Sequence, residues 1–195
     1  MEKRVLAIIA FSLIPSVLAA TAPWMVKGFK VSYYQEVKNS GLLALRGKAL
    51  YSNITIEVVD VLSSSELKIR MYGNVTLVGA KTSTQEIDRT ITVNLNDRNV
   101  SLPMLTEEKL NQTLSSFPSE CKNDTCVIYL NQTQQIPERN MIIIIKGKTV
   151  LDKKLLLVKE SDVELDVYMS SGATQRIVGK SISRLILTSY YFPHK

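Results

Sequence analysis

The chain has 195 residues, 45% of them apolar and 22% charged, and carries a formal net charge of +6. That length suits one domain with a full core, and the apolar content excludes a disordered chain. Gly (8) and Pro (6) are too sparse for low complexity, while frequent Val, Ile, Thr and Tyr favour strands.

Met1-Glu2-Lys3-Arg4 is followed by VLAIIAFSLIPSVLAA: a basic start, an apolar run and a small-residue end. This is the pattern of a Sec-type signal peptide, with cleavage after Ala19 or Ala20. Its alternative is retention as an anchor, although Val5 to Ala22 falls short of the about twenty residues of a spanning helix. The expected division is a signal segment over 1–20, an N-terminal strand or arm over 21–40 and one β-rich extracytoplasmic domain over 41–195. Because the basic residues are dispersed and the chain carries an export signal, nucleic acid is not an expected partner.

From Trp24 to Val37, Phe29, Val31 and Tyr33 alternate with Lys30, Ser32 and Tyr34, which reads as a strand. It is expected to lie at the edge of its own sheet, or else to complete a neighbour's sheet by strand addition. Leu42 to Val61 and Glu66 to Val78 read as two arms of a hairpin turned by Ser63-Ser64-Ser65. Ile87 to Leu95 continues the pattern, with Ile91, Val93 and Leu95 on one side. One helix is predicted over Glu107 to Leu114: Thr106 can cap it, two glutamates occupy its first turn, and Leu105 and Leu110 are spaced as a hydrophobic staple.

Cys121 and Cys126 enclose KNDT, and in an exported chain this spacing predicts a disulfide. A ring of that size contributes about 2 kcal/mol in the chain-entropy description. Two thiolates do not make a zinc site, and the lone histidine, His194, lies beside the C-terminus, so no metal or cofactor is expected.

In Met141 to Val158, five consecutive large apolar residues run into Lys146-Gly147-Lys148 and then into a second apolar run. The stretch predicts a hairpin turned at Gly147, its first strand buried on both faces at the centre of the sheet. Next, Glu160, Asp162, Glu164 and Asp166 alternate with Val163, Leu165 and Val167. A straight row of carboxylates spaced about 7 Å apart is a poor calcium loop. It reads instead as a solvated strand face, paired across the Ser170-Ser171-Gly172 turn with Arg176, Lys180 or Arg184 on a last strand over Thr174 to Tyr191.

Six sequons stand at Asn53, Asn74, Asn99, Asn111, Asn123 and Asn131. Six of ten asparagines have Ser or Thr two places on, where Ser and Thr content alone gives about two, which predicts N-glycosylation. All six precede Met141, so one end of the domain is expected to be sugar-coated and the C-terminal third bare. No G-x-S-x-G, H-E-x-x-H, phosphate loop, EF-hand or C-x-x-C is present, and no catalytic residue is assigned.

The segments Trp24 to Tyr34, the strands to Val78, ITVNLNDRNVSLPMLTEEKL and the closing VYMSSGATQRIVGKSISRLILTSYYF together resemble secreted surface proteins of thermophilic archaea. That resemblance implies a heavily N-glycosylated β-sheet protein, similar in some members to filament subunits that exchange N-terminal strands. The order of curved sheet and helix is also reminiscent of periplasmic lipoprotein carriers, which implies an apolar concave face.

The expected fold is mainly β, an antiparallel β-sandwich or strongly curved sheet with one short helix near 106–114. The expected function is that of a non-catalytic, exported cell-surface protein, a structural or adhesive subunit of an envelope assembly or filament. Its working parts would be the arm Ala22 to Val37, the sheet edge and the bare C-terminal third. Its partners would be other copies of itself or surface and membrane proteins, with membrane contact through the N-terminal segment. The alternatives are an accessory subunit of a membrane complex, respiratory for example, and a carrier of a lipid or other apolar ligand on the curved sheet.

Overall fold

A computed structural model describes residues 22–97, 102–171 and 174–193. The signal segment, Asn99 and His194 lie outside them. Nine antiparallel strands form one open sheet in the order β4-β3-β2-β1-β9-β8-β7-β6-β5. They are β1 Lys30–Gly41, β2 Ala49–Val61, β3 Glu66–Val78, β4 Thr82–Asn94, β5 Ser119–Lys122, β6 Thr125–Ile136, β7 Met141–Asp152, β8 Leu157–Ser171 and β9 Thr174–Tyr191. The helix α1, Glu107–Ser116, is where the sequence places it, with Thr106 Oγ1 accepting from the Lys109 N–H at 3.2 Å. Leu105 and Leu110, the residues of the staple, are both buried.

The sheet is an up-and-down meander on each wing, and the first and last strands meet in its middle. A flat sheet would separate β3 from β6 by about 29 Å. Yet Leu67 and Ile69 of β3 and Ile128 of β6 belong to one core that also holds Leu110 of α1, so the sheet curves around the helix. Of the two architectures expected, the protein has the curved single sheet.

Four sequence expectations give way. The segment Trp24 to Val37 is not an edge strand: β1 pairs with β2 on one side and β9 on the other, and Trp24 and Phe29 before it are fully buried. Leu42–Arg46 is a 3-10 turn, not the start of β2. Gly41 and Gly47 flank it with φ of 61° and 139°, backbone that breaks a strand. Gly147 lies inside β7, where an added Cβ would collide with the Asp162 carbonyl, and the chain reverses later, between Asp152 and Leu157. Met141 to Ile145 is only half-buried, third strand from one edge rather than central.

Register assigns the two faces, since directly paired residues project to the same side. The inner face carries Val31, Tyr33, Ile56, Ile69, Thr149 and Leu151; the outer face carries the acids of β8 with Lys180 and Arg184 of β9. A strap, Leu102–Thr106, crosses the inner face. It is held by Leu105 N–H to Leu156 O (2.8 Å), Val158 N–H to Pro103 O (2.9 Å), Tyr33 Oη to Pro103 O (3.0 Å) and Trp24 Nε1 to Leu105 O (2.8 Å). Burial pushes the Tyr33 phenol well above its ordinary value. The strap and α1 thus form a plug over the half of the inner face near the Ala22 end.

Candidate functional site

Beyond the plug, each long strand continues toward the turns at its other end. By register, Val37, Leu50, Val75, Ile145, Val163 and Leu165 all project from the inner face there. All six are half-buried, and none belongs to the core cluster that packs on α1. Gln35, Asn39, Ser181 and Ser183 lie among them. The result is a curved surface of aliphatic side chains with scattered polar groups, the composition of an apolar-ligand site. At its far end Leu43 packs over Gly179, where an added Cβ would meet Leu43 Cγ at 3.0 Å.

The outer face is a charged lattice. Lys180 Nζ donates to Glu164 Oε1 at 2.6 Å, and Arg184 reaches Glu160 at 3.0 Å and Asp162 at 3.5 Å. Arg70 makes a two-pronged contact with Asp88, at 2.8 and 2.6 Å, and lies over the Tyr72 ring. The hydrogen bond from Lys180 holds the Glu164 carboxyl below its usual range, and that from Arg70 does the same for Asp88. Glu160, Asp162 and Glu164 are therefore paired and partly solvated as expected, whereas Asp166 departs from that expectation: it is buried, and its Oδ1 has no hydrogen-bond partner among the described residues. Arg176 is a second exception, since it lies opposite Met169 rather than an acid.

The five described sequon asparagines are all exposed. Asn53 and Asn74 are direct cross-strand partners on the outer face, and Asn131 lies on that same face opposite Lys146. Asn111 is on α1, and Asn123, with φ of 53°, is in the turn closed by the Cys121–Cys126 disulfide. The sequon asparagines are thus not gathered at one end: three lie on the outer face, one on the helix that plugs the inner face and one in the disulfide turn. The sequon-free stretch from Met141 onward forms β7, β8 and β9 in the body of the sheet, and no described sequon asparagine lies on the uncovered inner face.

Among the described residues no cluster of His, Cys, Asp or Glu is arranged to hold a metal, and no helix is long and apolar enough to cross a membrane. The sequence reading had an apolar concave face only as what a resemblance implies and named none of its residues, because the six aliphatic side chains come from five strands. Each contributes one or two members of an ordinary alternation, and only the pairing order collects them. No family model matches the chain, and no curated protein matches it.

Proposed function

We propose that this chain is a non-catalytic, exported, N-glycosylated surface protein that carries a lipid or other apolar ligand on the uncovered half of its inner face. One observation carries the reading: six half-buried aliphatic side chains on one curved face lie outside the core that the plug completes. Apolar area left half in water is a standing driving force of about 25 cal/mol per Å² for whatever covers it. The exposed sequons support the reading, because glycans on the outer face and around the plug would leave the inner face free.

The test is binding of a pyrene-labelled fatty acid to the purified chain. Saturable binding is expected, lost in Ile145→Glu/Leu165→Glu, a cross-strand pair on the β7–β8 side of the surface, with the far-UV circular dichroism unchanged. A wild-type chain that binds no probe and yields no lipid on organic extraction from its native source would overturn the proposal.

A second reading, the envelope or filament subunit, is favoured by the sheet edge. β4 is 13 residues long, pairs with β3 alone and runs without a register shift or a proline. Such an edge leaves a row of main-chain groups for a further strand. In this reading β4 receives a strand; β1 is already paired on both sides.

A further inference from the structure

We infer that the turn end of the sheet opposite the plug is a docking surface for a lipid bilayer bearing anionic headgroups. The meander brings the β1–β2, β3–β4, β6–β7 and β8–β9 connections to that end. The first of them is the 3-10 turn Leu42–Arg46, in which side chains three residues apart eclipse each other. Leu43 is turned inward onto Gly179, so Leu42 and Leu45 project together from the other side, 53% and 83% exposed. The flanking glycines hold this pair in place, since Gly41 lies so close to the Val178 carbonyl that no Cβ fits there. Ile177, on the strand against which the turn packs, is 54% exposed.

Charge selects the partner. Lys48, Lys81, Arg139 and Arg176 are exposed around this end, one near each connection, and none forms an ion pair among the described residues. Glu138 is the one acid in the described residues of these turns. No sequon falls in them, so no glycan would hold this end away from a surface. Two projecting leucines are by themselves a marginal membrane anchor, and a row of cations along the same end of the sheet supplies the second signal that stable binding needs. A protein partner would be met by a broad flat apolar patch; here two leucines project from one turn in a row of four, and an exposed cation stands near each of the four. The inference is independent of the ligand reading: the surface would dock with the inner face loaded or empty.

The experiment uses the full chain carrying Leu45→Trp, mixed with vesicles of phosphatidylcholine with and without phosphatidylglycerol. Trp24, fully buried, adds a constant background and reports that the core is intact. The expected result is a blue shift and quenching by brominated lipid with the anionic vesicles only. Binding should weaken about fivefold for each of Lys48, Lys81, Arg139 and Arg176 changed to Gln, and fall as salt rises. An N-terminal segment inserting on its own would bind both vesicle types alike and leave the new tryptophan in water. That result, or equal affinity in the fourfold Gln variant, would overturn the inference.

Discussion

At the scale of single residues, the outer face shows how side chains on an exposed sheet find partners by geometry alone. Lys180 and Glu164 sit diagonally across β8 and β9, and their 2.6 Å contact lowers the carboxyl's pKa, first through the hydrogen bond and then through charge. A carboxyl with a depressed folded pKa stabilises the fold above its unfolded value, and the contribution disappears as pH falls through the folded value. Replacing Lys180 with Met should therefore move the Glu164 titration upward toward the ordinary glutamate range, followed by NMR of the side-chain carboxyl. It should also remove the part of the acid-limb loss of stability that this pair causes. A titration left in place would assign the depression to another neighbour. Solvent screening keeps the effect small, in line with two side chains that are both more than a third exposed.

At the scale of elements, the helix is determined locally and placed by long-range contacts. Its cap, its acidic first turn and its staple all stand within the fourteen residues from Pro103 to Ser116, which is why the sequence locates it to within two residues. Thr106→Ala should cost about 1 kcal/mol in chemical denaturation, and Thr106→Ser should restore most of it, because only the hydroxyl acceptor is needed. Equal losses in both variants would instead point to the buried Thr106 methyl. The strands are a different case. Leu42, Leu43 and Leu45 carry apolar content without alternation, and the two flanking glycines turn them into a 3-10 turn. The run Met141 to Ile145 has content suited to burial on both faces, but its neighbours decide otherwise. Ile143 and Ile145 face the open inner surface and Ile142 and Ile144 the outer one, so all four remain half-buried.

At the scale of the whole molecule, the sheet is open at both edges, and the two are not equivalent. β5 covers only the first part of β6 and carries the disulfide, and the uncovered part of β6 includes the sequon at Asn131. The β4 edge is long, regular and free of a described sequon asparagine. If the chain assembles by strand addition, it does so there. A charge pointing inward from an edge strand is a standard obstacle to such pairing. Ile91, 42% exposed on β4, accepts one without opening the core. Ile91→Lys should abolish concentration-dependent assembly in sedimentation velocity with the circular dichroism unchanged. Assembly that persists would move the contact elsewhere.

The sequence by itself determined that the chain is mainly β with one capped helix, which positions alternate, that two cysteines are close enough to bridge, and that the β8 acids share one strand face. These properties depend on spacings of two to five residues and are written locally. The order of the strands, the meeting of β1 and β9, the strap over Tyr33 and the split between a plugged and an uncovered half of the inner face were decided only by the tertiary structure. They depend on pairings between residues as far apart as Lys30 and Tyr191. An alternating strand carries no mark of which neighbour it will take, so the face that remains uncovered is known only once every pairing is fixed.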